Sequence, residues 1–484
     1  MSEDLPALEA RLNVDLDRLC FFGKEWVPPR QAEGQRVRDV VIIGAGMCGL
    51  VASLALKRQG IANHIVYDMA PEGREGPWIT IARMQTLRSP KQLTGPAFGL
   101  PSLTFRAWYE ATHGTAAWEA LFRISREDWM AYLVWYRRVL GLPVVNGARM
   151  TGLAPAAGGL IAVQMEIDGR AERVLTRKLV LATGRDGLGG NYVPPIIRGI
   201  DPRFWAHSAD EIDFAALKGR RVIVVGAGAS AMDNAATALE AGAERVDLLI
   251  RRQEMPRINK GMGIGSPGMT HGYQALPDDW KWKIQDYLAR SQTPAPRSST
   301  LRVSRHPNAA FHFGAALEDI RVEDGALTVE TPKGRFRADF MIFATGFCVD
   351  LSLRPELAAI APHIRLWRDG MAEDPRRDDA LALSPRLGEH FELTEKVPGE
   401  CPMLASIYNF NFPSTLDHGK LSGDIPAVSE GADRLSRGIV RSLFVEDIEA
   451  HYAQLLAYDT PELLGDEWRD ADQKDEDRED VAAQ

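Results

Sequence analysis

Two unbroken apolar runs, VVII at 40–43 and VIVV at 222–225, each lead straight into a glycine turn and then into apolar residues at helical spacing. A short run without polar alternation predicts a strand buried on both faces, as in a parallel sheet. Further strand-and-turn signatures end at LVLATG (179–184) and FMIFATG (340–346). The recurring order of strand, glycine turn, helix and strand predicts βαβ units and an α/β fold. Ahead of them Leu5, Leu8, Leu12, Leu16 and Leu19 share one helical face. That stripe predicts an N-terminal helical arm over 1–36, packed on its own chain or on a second copy in a homodimer. Between 255 and 310 the texture changes to GMGIGSPG, Trp280, Trp282 and SQTPAPRSS, which reads as a long excursion covering a cleft. The charged stretch 466–484 predicts an acidic, disordered tail.

Composition narrows the function more than the fold. At 484 residues, 45% hydrophobic and 25% charged, the chain has room for two or more domains. A formal net charge of -9 argues against nucleic acid and against an anionic membrane, since both select a basic face. No apolar run approaches the roughly 20 residues that cross a bilayer. The start, MSEDLPALEA, lacks the basic and apolar regions of a secretory signal. Cys20, Cys48, Cys348 and Cys401 are scattered and form no CxxC pair, so neither a dithiol centre nor a metal site is encoded. Such thiols fit a reducing cytoplasm.

Gly44, Gly46 and Gly49 fit G-x-G-x-x-G directly after the strand Val40–Ile43. The first glycine permits the tight turn, the second lets the backbone approach a pyrophosphate, and the third lets helix and strand pack closely. The helix that follows aims its N-terminal N–H groups at that phosphate. The next strand, HIVYD, ends at Asp68, whose carboxylate can accept a ribose 2′-hydroxyl hydrogen bond.

The second turn repeats the arrangement with Gly226, Gly228, Ser230 and, at the third glycine position, Ala231. Its following strand, RVDLLI, ends in Arg251-Arg252 rather than in an acid. Two guanidinium groups there attract the 2′-phosphate of NADPH; the alternative is a solvated strand end. A hydride donor beside a second dinucleotide calls for a flavin acceptor, which puts FAD at the first turn. The expected architecture is two Rossmann-like dinucleotide-binding domains, the second inserted in the first: FAD domain over 37–205 and 336–465, NADPH domain over 206–335.

With these motifs the chain resembles the class B flavoprotein monooxygenases, the group of flavin-containing monooxygenases, Baeyer–Villiger monooxygenases and amine N-hydroxylases. The resemblance covers roughly 38–440 and rests on the two turns in that order, on Gly76-Pro77-Trp78, TLRSPK (86–91), RISREDWMAYLVWYRR (123–138), LATGR (181–185) and FATGF (343–347). It implies cofactor contacts at Trp78, Gly184 and Gly346. LSGDIPAVSEGADRLSRGI (421–439) resembles the Gly-Asp motif that closes the FAD site, with Gly423 and Asp424 toward the ribityl and diphosphate. The fingerprint ahead of the second turn is incomplete: FWAHSADEID keeps Phe204, His207 and Ser208 but lacks its glycine and has Glu211 at the aromatic position. Arg88 stands where flavin-containing monooxygenases carry an asparagine.

The resemblance implies that NADPH reduces the flavin, oxygen forms a flavin C4a-(hydro)peroxide, and this oxygenates a small organic substrate at a heteroatom or carbonyl. Candidate catalytic residues are Arg88, His418 and Lys420. Arg88 either favours an anionic oxidant or substrate or pairs with a phosphate or carboxylate. His418 is a proton donor, a substrate anchor or a structural loop histidine. Tyr408, Asn409 and Asn411 are expected in a polar pocket wall. A plain NADPH-dependent flavoprotein reductase and a flavin-binding redox sensor are the competing readings.

Overall fold

The run at 38–43 forms the strand Arg38–Ile43 in the middle of a seven-stranded sheet, parallel to His64–Tyr67 on one side and Arg170–Leu181 on the other. Val144–Val145 extends one edge, and Ile407–Asn409 pairs in parallel with the carboxyl end of Arg170–Leu181. The amino half of that 12-residue strand instead joins an antiparallel meander with Leu160–Ile167 and Ala148–Ala156. The computed structural model describes residues 4–468 and 470, so that 469 and 471–484 of the expected tail lie outside the described residues. The chain divides into two compact units, Met1–Val440 and Arg441–Gln484.

The second glycine turn belongs to a sheet of five parallel strands in the order Trp205–His207, Phe340–Phe343, Arg221–Val225, Arg245–Ile250, Ala309–Phe313. Its two faces follow from strand periodicity. Val222 and Val224 pack with the alanine-rich helix Ala229–Glu240, whereas Ile223 faces Leu327, Val329 and Ala338 of a separate antiparallel meander. The boundary expected at 335/336 differs from this arrangement. Phe340–Phe343 pairs residue by residue with Val222–Val225, so the FATGF strand lies inside the second sheet and the chain leaves it only afterwards. Phe347–Val349 then runs antiparallel to Gly189–Asn191, which sets the two connecting segments side by side.

The N-terminal stripe is satisfied within the chain. The helix Leu5–Arg18 is capped by Asp4 and buries Leu8, Leu12 and Leu16. Its polar residues are tied down as well: Arg11 Nε donates to Ser102 Oγ at 3.2 Å, and Trp135 Nε1 donates to Glu9 at 3.0 Å. A homodimer therefore draws no support from these leucines. The 255–310 excursion is largely helical rather than a loop, with helices Asp278–Ser291 and Arg297–Ser304. The second of these packs on the Ala229–Glu240 helix, where Arg302 meets Glu240 at 2.7 Å.

Candidate functional site

The carboxyl ends of the parallel strands in the first sheet open into one crevice, where α/β sheets bind ligands. Its floor is the first glycine turn. A side chain on Gly44 would come within 2.5 Å of the Ala182 carbonyl oxygen, and one on Gly49 would collide with the carbonyl of Gly44. Only glycine allows this approach of turn, helix and neighbouring strand. Gly46 opens the helix Met47–Arg58, and no side chain caps that end, unlike the Thr104 and Ser125 caps of Phe105–His113 and Arg126–Val139. Its first N–H groups are thus left for a ligand. Asp68 closes the turn from the adjacent strand, its carboxylate accepting from the N–H of Ala45 and of Ala70, each at 2.7 Å.

The remaining walls come from distant sequence. Thr183, Gly184 and Arg185 follow the strand Arg170–Leu181, and the 409–412 segment lies beside them: Asn411 Nδ2 donates to Thr183 Oγ1 at 3.2 Å and the Phe412 N–H to the Gly184 carbonyl at 3.2 Å. The Ser414 and Ser422 hydroxyl oxygens lie 2.8 and 2.6 Å from the Asn411 carbonyl oxygen, and Cys48 Sγ donates to the Ser422 carbonyl at 3.3 Å. These bonds bring Gly423 and Asp424 up to the start of the glycine-turn helix. Burial pushes the Cys48 thiol up to about 12, so it stays protonated and is no nucleophile.

Several buried polar atoms point to a missing ligand. Trp78 Nε1, Asn411 Oδ1 and both amide atoms of Asn409 have no hydrogen-bond partner among the described residues, although Asn409 and Asn411 are 0% exposed. Such groups are costly to bury unsatisfied. Together with the uncapped helix and the glycine cradle they fit a dinucleotide.

Arg185 carries the positive charge of the crevice. Its guanidinium lies 5.0 Å from the centre of the Phe412 ring and has no hydrogen-bond partner among the described residues. Arg185 is exposed to solvent on one side, and desolvation by the protein around it lowers its pKa from the ordinary arginine value, against the opposing pull of Asp424. Arg88 also feels Asp424, while burial and then Arg123 lower its value; its Nη1 donates to the Pro294 carbonyl at 2.9 Å. Arg88 therefore ties the TLRSPK loop to the excursion at the mouth of the crevice.

The other two catalytic candidates lie differently. His418 is 1% exposed, stacked on Phe391 with ring centres 3.9 Å apart. Arg434 donates to its Nδ1 at 3.2 Å, which leaves the Nε2 proton to the Gly388 carbonyl at 3.0 Å. Burial, with Arg434 adding to it, pushes the imidazole down to about 3. With both nitrogens engaged, His418 holds structure and has no free position for substrate. Lys420 is exposed, near Gly261 of the excursion. Tyr408 is buried in the strand Ile407–Asn409.

The second crevice repeats the design. A side chain on Gly226 would come within 2.7 Å of the Ala344 carbonyl, Gly228 starts an uncapped helix, and Ala231 is fully buried against Gly226. Ser230 and Arg251 are exposed at its rim, and Gly346 has open space around it. Arg252 is committed, its Nη2 donating to the Arg290 carbonyl at 2.8 Å. His207 of the incomplete fingerprint sits on the edge strand of this sheet beside Phe347.

Residues 41–264 match the family described as pyridine nucleotide-disulphide oxidoreductase. The FAD-dependent urate hydroxylase of Xanthomonas campestris pv. campestris is 39% identical over 465 residues, 95% of this chain and 98% of that protein. The chain belongs to that hydroxylase's family. Solved structures agree on the fold. The reduced ornithine hydroxylase of Pseudomonas aeruginosa matches with a TM-score of 0.64 at 17% identity, over 84% of this chain and 100% of its own. The ornithine N-hydroxylase of Kutzneria sp. 744, solved with reduced FAD, NADP+ and L-ornithine, gives 0.63 at 16% identity, over 84% and 99%. This family member is an oxidoreductase with two dinucleotide-binding folds, the second set within the first.

Sequence reasoning named Gly184 but gave no role to the residue after it, and none to Ser414 or Ser422. Arg185 was visible as the last residue of LATGR, but its partner ring stands 227 positions away.

Proposed function

We propose that this protein is an FAD- and NADPH-dependent monooxygenase acting on a planar, anionic heterocycle, with urate as the substrate its Xanthomonas relative suggests. One oxygen atom enters the substrate, the other leaves as water, and NADPH supplies the two electrons. FAD lies along the crevice of Gly44, Gly46, Gly49 and Asp68, with Trp78, Gly184, Gly423 and Asp424 around it. NADPH lies along Gly226, Gly228, Ser230 and Ala231, with Arg251 toward its 2′-phosphate and Gly346 beside it. Bound flavin supplies the redox chemistry; the chain positions the partners and excludes water.

The observation that carries the substrate class is Arg185 above Phe412. An unpaired guanidinium over an aromatic ring offers charge and a flat face together, and it recognises planar anions better than an ammonium would. The unsatisfied Asn409 amide and Asn411 Oδ1 add hydrogen-bonding positions in the same wall, and Arg88 adds a second positive charge at the mouth. This reading places the enzyme in the cytoplasm, supported by four free cysteines.

The test is oxygen consumption and NADPH oxidation with urate, set against an uncharged purine of the same size. Urate should accelerate both in a one-to-one ratio, with hydroxylated product and little peroxide released. NADPH oxidation that urate leaves unchanged would sink the substrate class. Flavin that NADPH cannot reduce would sink the cofactor assignment.

A further inference from the structure

The second compact unit carries an apolar surface that the proposed reaction does not use. No residue of its helix Ile448–Ala457 is buried. Ile448, Tyr452 and Leu455 of this helix are 50, 59 and 68% exposed, and Val445, in the last turn of the preceding helix Val428–Glu446, is 64% exposed. Within the helix the spacing of four and three is that of a helix seam. Leu456, Tyr458, Leu463, Leu464 and Trp468 continue the exposed surface beyond it. The helix's contact with the preceding one, where Phe444 stacks on His451 with ring centres 4.7 Å apart, leaves this apolar stripe uncovered.

Charge excludes a lipid surface, and area identifies what covers it. From Ser442 to Trp468 the chain has no lysine or arginine, and Glu446, Asp447, Glu449, Asp459, Glu462, Asp466 and Glu467 flank the apolar positions. A helix built for a lipid surface is rich in basic residues, and an anionic bilayer repels this one. The chain end at 471–484, ADQKDEDREDVAAQ, offers too little apolar surface to fold back as a cover. The exposed side chains together present on the order of 800 Å² of apolar area, matching what each partner contributes to a standard protein interface. A stripe at seam spacing is self-complementary under a two-fold axis, where the same patch serves both partners.

We propose that the segment 445–468 is a homodimerisation surface, in which the Val445, Ile448, Tyr452 and Leu455 stripe of one copy packs on that of a second copy. The dimer expected from the N-terminal leucines is thereby relocated to the other end of the chain.

Light scattering on the flavin-loaded, full-length protein tests this. At 10 μM the mass should be twice the 53.5 kDa of the chain and should fall toward one on dilution. The Tyr452→Glu/Leu455→Glu variant should run as a monomer at that concentration, with flavin content and NADPH oxidation unchanged. A monomeric wild-type protein overturns the proposal without recourse to any variant. A dimer that persists in a flavin-retaining double variant overturns it, as does wild-type binding to phosphatidylglycerol vesicles that the same substitutions abolish.

Discussion

The hydroxyl oxygens of Ser414 and Ser422 lie 2.5 Å apart and both lie within hydrogen-bond distance of the single carbonyl of Asn411, so that one hydroxyl donates to the other and that one donates to the carbonyl. This buried knot joins two turns of chain that otherwise share no regular structure. It fixes the approach of Gly423 and Asp424 to the first glycine turn.

Ser422→Ala should therefore weaken FAD binding more than it weakens the fold. A lost hydrogen bond of this kind costs about 1 kcal/mol, or roughly a fivefold loss in affinity if the loop orders only with FAD. Titration of the deflavinated protein with FAD measures it directly. An unchanged dissociation constant with a lowered melting temperature would mean that the knot serves stability alone.

Arg251 and Arg252 are adjacent in sequence but differ in availability. Arg251 is exposed at the end of the Arg245–Ile250 strand, whereas Arg252 is bonded to the Arg290 carbonyl. Arg251→Ala should raise the KM for NADPH by roughly tenfold to a hundredfold, from the about 1.5–3 kcal/mol of a charge-assisted contact, and leave NADH nearly untouched. Arg252→Ala should act mainly by loosening the helix Asp278–Ser291. Equal losses with both cofactors in the Arg251 variant would remove the 2′-phosphate assignment.

The two glycine turns, their order and the contrast between Asp68 and Arg251 were legible because each is a local pattern with a local cause: strand, turn and helix in unbroken succession. FATGF misled for a related reason. Its apolar strand looks the same whichever sheet receives it, and only the register of Phe340 against Val222 assigns it to the second. His418 reads as a loop histidine in sequence, but its neighbours Phe391, Gly388 and Arg434 come from other segments, and burial decides its chemistry. The exposed seam at 445–455 was overlooked because a helical stripe reads as core wherever it occurs. Exposure distinguishes it from the buried stripe of Leu8, Leu12 and Leu16.

Arg185→Ala should raise the KM for an anionic substrate by tenfold or more while NADPH still reduces the flavin at the wild-type rate. Arg185→Lys should recover only part of the loss, because an ammonium keeps the charge but neither the planar fork nor the stacking on Phe412. Stopped-flow reduction and steady-state kinetics on the same preparations separate the two steps. A variant that loses FAD on purification would instead assign Arg185 to the diphosphate.

His418 gives the pH dependence of stability a definite sign. Its imidazole is held neutral down to about 3 in the folded chain, against an unfolded value of 6.5. The groups around it, Arg434, Lys281 and His390, all oppose a further positive charge. Above pH 6.5 neither state binds the proton and stability is complete. As pH falls below 6.5 the unfolded chain takes up a proton that the folded chain refuses, and stability is lost progressively toward pH 3. At pH 5 the loss from this residue amounts to about 2 kcal/mol. His64, pushed down to about 4 by burial between Ser53 and the Ile61 carbonyl, acts in the same direction. The buried carboxyl groups of Asp233 and Asp417, both raised by burial, act in the opposite one. Comparison of His418→Gln with the wild type isolates the one contribution. Denaturant unfolding at pH 7 and pH 5 should show the variant losing about 2 kcal/mol less across the interval. The glutamine amide can still accept from Arg434 and donate to Gly388, so turnover and its pH profile should be unchanged. An acid limb that moves or disappears in the variant would return His418 to the catalytic machinery.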